Sequence, residues 1–246
     1  MSILTMKDVK YEYRNKYQTV YALRGVSCEF ERGVFYAVIG KSGSGKTTLL
    51  SMLTGLDNPT SGAVMLGDTN IAGIDRDKYR LNNISIIYQS LNLFPLLNAL
   101  ENVMFPLEYK KMSKAKAREL AVEKLLSVGI GESMHRRLPS MLSGGEQQRV
   151  AIARALAGQA GIVVADEPRG NLDTENSMNT VLLLKELVKT ENVCVIVVTH
   201  DMAVADEADV VLNISDGTII GSPPPSAPRF AEYGSLKELF DGLNVV

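Results

Sequence analysis

Cysteine is scarce in this chain: Cys28 and Cys194 are the two among 246 residues. They lie far apart and match no metal-ligand spacing. Cys194 falls inside the apolar run Val193-Cys194-Val195-Ile196-Val197-Val198, where a small hydrophobe in a buried strand is the expected role. A reducing, cytoplasmic setting fits that usage. Charge of one sign is also lacking, with 26 Lys+Arg against 28 Asp+Glu and a net charge of -2. The basic surplus of a sequence-independent nucleic-acid binder is therefore missing, and no nucleic-acid partner is expected. No apolar run approaches the ~20 residues needed to span a bilayer. The opening Met1-Ser2-Ile3-Leu4-Thr5-Met6-Lys7-Asp8 has no basic segment followed by an apolar one, so no signal peptide is expected. Any membrane role is expected to run through a partner protein. Repeats of about 20 to 50 residues are absent, which argues against solenoids and propellers.

What the chain does have is core-forming material. Hydrophobic residues make up 46%, enough for one large α/β domain or two small ones. Alternation predicts antiparallel strands around Leu4 to Arg14 and Val20 to Phe30. Nearly continuous apolar runs follow at Val34 to Ile39, Ile84 to Tyr88, Ile162 to Ala165 and Cys194 to Val198. Such runs are the mark of a parallel sheet with helices on both faces. From Gln89 to about Gly158 the pattern turns helical. Ala117, Leu120, Ala121, Leu125 and Val128 share one helical face, with Ser113 as the candidate N-cap and Gly129 just past the end. Another helix is predicted from Thr174 to Leu187. His135, between Met134 and two arginines, is expected at the surface.

The first Gly-rich loop carries chemistry. Gly40-Lys41-Ser42-Gly43-Ser44-Gly45-Lys46-Thr47 directly follows an apolar strand and fits the phosphate-loop pattern. Its glycines let backbone N–H groups turn toward phosphate oxygens, and a helix starting near Lys46 adds the positive end of its dipole. Lys46 is expected to reach the β- and γ-phosphates. The Thr47 hydroxyl is expected on Mg²⁺, with Thr48 completing the nucleotide contacts. In Ile162-Val163-Val164-Ala165-Asp166-Glu167 a strand delivers two adjacent carboxylates to the sheet edge. Asp166 would hold Mg²⁺ directly or through water, and Glu167 would polarise the attacking water.

The string Leu142-Ser143-Gly144-Gly145-Glu146-Gln147-Gln148-Arg149 starts a helix capped by Ser143 and leaves its N-terminus open to an anion. Capping does not explain two glycines, which weaken a helix. This string resembles the signature of ABC ATPases, and it occurs in order with Gln89, Gly170-Asn171-Leu172-Asp173 and His200. The likeness runs from about residue 3 to residue 221. It is nearest to the lipoprotein-release, macrolide-exporter and FtsE-like branch, carried by Asn92-Leu93-Phe94-Pro95-Leu96-Leu97, Ala99-Leu100-Glu101-Asn102-Val103 and Gly170-Asn171-Leu172-Asp173-Thr174. Arg169 departs from that branch, which usually has threonine there, and Lys41 replaces a frequent proline.

The resemblance implies a P-loop NTPase of ABC type: a mainly parallel sheet, an antiparallel β subdomain and a helical lobe. It implies that Tyr13 stacks on adenine, with Tyr11 as the neighbouring alternative. Gln89 would approach Mg²⁺ and the attacking water, and His200 would contact the γ-phosphate. Asp173 would face a second subunit. ATP would lie between the phosphate loop of one chain and Ser143, Gly144, Gly145 and Glu146 of the other, in a homodimer or with a paired ATPase subunit. The expected activity is hydrolysis of ATP to ADP and phosphate, driving an integral-membrane permease from the inner face of the cell membrane. A soluble ABC ATPase of DNA or ribosomes would carry a long coiled-coil insert, zinc cysteines or two cassettes, and none is seen. An inactive scaffold is disfavoured by the presence of Glu167 and His200. Residues 1–221 are read as the ATPase domain, with its helical lobe at about 90–158. Residues 222–246 are read as a proline-rich linker and a short helix whose apolar stripe is Leu236, Leu239, Phe240 and Leu243, starting at the capping-box pair Ser235 and Glu238.

Overall fold

Strand β1 (Ser2–Arg14) and strand β2 (Thr19–Glu31) form an antiparallel ribbon in which Leu4, Met6, Val9, Leu23, Val26 and Phe30 turn inward. Strand β3 (Phe35–Ile39) runs into the glycine loop and helix α1 (Lys46–Leu53). Strands β4 (Ser61–Leu66) and β5 (Thr69–Asn70) return to the ribbon and complete a four-stranded sheet in the order β2-β1-β4-β5. Helix α2 (Arg76–Asn83), capped by Asp75, leads into β6 (Ile84–Ile87). Three helices follow: α3 (Ala99–Tyr109), α4 (Lys114–Ser127) and α5 (Gly144–Ala157). The chain then alternates through β7 (Ile162–Asp166), α6 (Thr174–Glu191), β8 (Cys194–Thr199), α7 (Met202–Asp206), β9 (Val210–Ser215) and β10 (Thr218–Ile219). The computed structural model describes residues 2–168 and 174–221, the side chains of 174–179 excepted. Asp173, Arg169 and the predicted helix at 235–243 lie outside the described residues.

The second sheet has the order β10-β9-β3-β8-β7-β6, parallel throughout except for β10. Its central strands are buried on both faces, which is why they read as unbroken apolar runs rather than alternating ones. Period-two geometry splits each strand between two cores. Phe35, Ala37, Val163, Ala165, Val195 and Val197 face the helices α3 to α7. Tyr36, Val38, Ile162, Val164, Cys194 and Ile196 face α1 and the antiparallel sheet. Burial pushes the thiols of Cys28 and Cys194 up to about 12, so both stay protonated at neutral pH.

Within the helical block, α3 begins with a capping box formed by Asn98 and Glu101. Asn102 is fully buried, and its amide bonds Phe94, Leu97 and Asn98 main-chain groups, pinning the segment that leads into α3. Ser113 occupies the cap position of α4, but its side chain makes no capping bond. Gly129 ends that helix at φ 74°. His135 departs from the surface position predicted for it. It is buried, and its Nε2 lies 3.0 Å from the Ile130 carbonyl. Its own carbonyl accepts from the Leu100 N–H, so the turn folds inward under α3 while the flanking arginines remain outside.

Candidate functional site

Three neighbouring parallel strands end at one edge, and their registers decide what meets there. Ile39 of β3 pairs with Thr199 of β8, and Val198 pairs with Asp166 of β7. The residues just past those ends, the glycine loop, Glu167 and His200, are therefore adjacent although the loop is more than a hundred positions away in the chain. Ligands of open α/β sheets bind at this carboxyl edge. Here it opens into a cleft of about 690 Å³ lined by Tyr13, Ser42, Gly43, Gly45, Lys46, Thr47, Thr48, Gln89, Asp166, Glu167 and His200, together with Val20, Tyr21 and Ala22.

The glycines of the loop are steric necessities at two points. A Cβ on Gly40 would sit 2.3 Å from the Ile214 carbonyl oxygen, and one on Gly45 would sit 2.6 Å from that of Ala22. Gly45 also holds φ 107° as it caps α1, a conformation that disfavours any side chain. Lys46 Nζ donates to the Gly40 and Lys41 carbonyls at 2.7 and 2.9 Å. The ammonium thus bridges the loop while carrying a third N–H. Gly40, Lys41 and Ser44 complete the loop without lining the cleft.

On the β7 side, Glu167 is held in the left-handed region at φ 44°. Its N–H donates to the Val198 carbonyl at 2.8 Å. Its Oε1 lies 2.7 Å from His200 Nδ1, and its Oε2 accepts from the Thr199 hydroxyl at 3.0 Å. His200 is otherwise open, its side chain 75% exposed. The Asp166 carboxyl is raised above the usual range by burial and by the Glu167 charge, partly offset by Lys46. Because the folded-state pKa exceeds the unfolded one, ionisation of Asp166 opposes folding, and that penalty is relieved as the pH falls through the folded value. Asp166→Asn is therefore expected to raise the melting temperature of the nucleotide-free protein. The Mg²⁺-dependent stabilisation by nucleotide should be lost at the same time. Scanning fluorimetry with and without MgATP checks both, and a lower melting temperature for the nucleotide-free variant would refute the electrostatic account.

Tyr13, half exposed at 49%, lines the cleft with its hydroxyl 3.3 Å from Thr48 Oγ1. Tyr11 packs edge-on against it at 5.0 Å but borders the neighbouring groove instead. Three lining residues, Val20, Tyr21 and Ala22, belong to no motif in the sequence. Strand pairing brings them in, since Tyr13 stands opposite Val20, and that register exists only in the folded ribbon. Ser143, Gly144, Gly145 and Glu146 do not line this cleft. They begin α5, where Ser143 Oγ accepts from the Glu146 N–H and Glu146 Oε2 accepts from the Ser143 N–H at 2.6 Å.

Thr47, Gln89 and Asp166 all line the cleft and offer oxygen donors, a hard set that suits Mg²⁺ shared with phosphate oxygens. Among the described residues no cluster of three or more His, Cys, Asp or Glu could hold a metal ion, so protein carboxylates alone would not cage it.

Known proteins resemble this chain over most of its length. The family described as ABC transporter matches residues 23–170. A lipoprotein-releasing system ATP-binding protein, LolD, of Legionella pneumophila is 42% identical over 220 residues, covering 88% of this chain and 96% of its own. A macrolide export ATP-binding/permease protein, MacB, of Hyphomonas neptunium is 41% identical over 94% of this chain, which spans 36% of that longer protein. The solved dimer of the ATP-binding cassette MJ0796, bound to ADP and Pi in a post-hydrolysis state, superposes with a TM-score of 0.83 at 36% identity, over 91% of this chain and 99% of that one. MJ0796 comes from Methanocaldococcus jannaschii.

Proposed function

This chain belongs to the ABC transporter ATP-binding family, and from that premise we propose that it hydrolyses ATP in a head-to-tail dimer and drives a membrane permease. The observation that carries the reading is the convergence of Lys46, Glu167 and His200 on one cleft at the ends of β3, β7 and β8. Loop N–H groups and Lys46 bind the phosphates, and Tyr13 offers its ring to adenine. Thr47, Gln89 and Asp166 hold Mg²⁺, which when bound neutralises phosphate charge. Glu167 takes the proton of the attacking water, and His200 turns toward the γ-phosphate. Ser143 and Gly145 of a second copy close the site, since this chain's own lie outside its cleft.

The permease would dock on the helical block. Leu97, Leu100, Met104, Phe105 and Val122 line a groove of about 880 Å³ there, with Glu101, Arg118 and Arg136 among its charged rim. Arg154 of α5 donates to the Leu91 and Asn92 carbonyls at 2.7 Å. That tie joins the segment after Gln89 to α5, which packs against the groove-bearing helices α3 and α4, so movement at the cleft can reach the partner. No helix among the described residues is long and apolar enough to cross a membrane. A peripheral position on the inner face, through the permease, follows from this reading.

Lys46→Ala tests the nucleotide half of the proposal. Removing a charge paired with phosphate is expected to weaken binding by about 30-fold or more, measured with a fluorescent ATP analogue. Retained affinity would move phosphate recognition elsewhere. For the dimer half, specific activity of the parent protein should rise with protein concentration at dilution; a constant specific activity would favour a self-sufficient monomer.

A further inference from the structure

Thr199 is the last residue of β8 and is fully buried. Its hydroxyl sits between two partners, the Asp201 N–H at 3.1 Å and Glu167 Oε2 at 3.0 Å. A main-chain N–H can only donate, so the Thr199 oxygen accepts it and the single hydroxyl proton is left for the carboxylate. The direction of the hydrogen bond is thereby set. Asp201 is itself anchored, since its carboxylate caps α7 by accepting from the Ala203 N–H at 2.9 Å. A β-branched side chain in a buried strand has little χ1 freedom. The preceding residue, Val198, accepts from the N–H of Glu167, whose backbone is left-handed. Consecutive residues of one rigid strand thus fix both the main chain and the side chain of Glu167.

We propose that Thr199 is a positioning residue for hydrolysis: its hydroxyl anchors Glu167 Oε2, so that Oε1, which lies 2.7 Å from His200 Nδ1 here, is the oxygen presented to the attacking water once His200 turns to the γ-phosphate. This rests on the reading of Glu167 as general base. In that step the water oxygen bonds to the γ-phosphorus while its proton passes to Glu167 Oε1. The bond from the γ-phosphorus to its bridging oxygen breaks, and the electron pair leaves with ADP. Misdirection of the base by a fraction of an ångström weakens that transfer without touching the phosphate or adenine contacts. The loss should therefore fall on kcat and leave KM in place.

The experiment compares Thr199→Val, Thr199→Ser and Thr199→Ala in the full chain, alone and with Glu167→Gln. Losing a hydrogen bond to a charged group predicts a fall in kcat of about tenfold or more for Thr199→Val, with KM for MgATP within about twofold of the parent. Serine and alanine both lose the methyl group but differ in the hydroxyl, so serine should keep turnover within about threefold and alanine should lose about tenfold. That pair also decides the matter if the valine variant folds poorly. Added to Glu167→Gln, the valine change should cost less than about twofold more, because residues acting as a unit are non-additive. Serine falling with alanine, or valine retaining full kcat while Glu167→Gln is inactive, overturns the role of Thr199 alone. Full turnover in Glu167→Gln overturns the general-base reading first, and this inference with it.

Discussion

Replacing Glu167 with glutamine lowers steady-state ATP turnover by roughly 10²- to 10⁴-fold, the range for loss of a positioned general base. The amide is nearly isosteric and can still meet the hydroxyl of Thr199 and the ring of His200, which contact the carboxylate at 3.0 and 2.7 Å. Nucleotide contacts on the loop and on Tyr13 are not altered. Binding should therefore survive while turnover stops, and the variant should accumulate as an ATP-bound dimer on size-exclusion chromatography. A second consequence follows from charge. The Glu167 carboxylate raises the Asp166 pKa, so removing it lowers that pKa and extends Mg²⁺-dependent nucleotide binding to lower pH. Unchanged hydrolysis would assign water activation to another group.

Mixing two inactive variants restores part of the activity if the site is shared. A Ser143→Arg chain keeps its phosphate loop but places a bulky cation at the N-terminus of α5, and Lys46→Ala does the reverse. Each alone should lose turnover by about 100-fold or more, since an arginine side chain displaces the facing nucleotide surface and an alanine leaves the phosphates without their cation. In a heterodimer, the loop of the first chain meets the intact signature of the second. Random one-to-one assembly makes half the dimers mixed, each with one of two sites intact, so recovery approaches about a quarter of the parent rate when the sites act independently. Sites that fire only in pairs would recover less. No recovery together with full activity of Ser143→Arg alone would place the whole site within one chain.

The features of this protein that are legible in its sequence are those whose information is local. The glycine loop, the carboxylate pair after an apolar run and the helix start capped by Ser143 each lie within a few residues, so strand, turn and helix chemistry specify them directly. The buried parallel strands are visible for a related reason: burial on both faces removes polar residues from the strand itself. His135 is the counterexample. Its polar neighbours Arg136 and Arg137 suggest solvent, whereas packing under α3 buries its ring.

The amino-acid sequence by itself determined which chemistry is available: a phosphate loop, two adjacent carboxylates, a histidine after a buried core strand and a glycine-bearing helix start. Tertiary structure alone decided which of these meet. Strand order places β8 between β3 and β7, and pairing register aligns Ile39, Thr199 and Asp166 at one edge. Non-local hydrogen bonding of that kind leaves no trace in a linear pattern. For the same reason the contact of Thr199 with Glu167, the entry of Val20 and Tyr21 into the cleft, and the exclusion of Ser143 from it arise only when the sheet assembles.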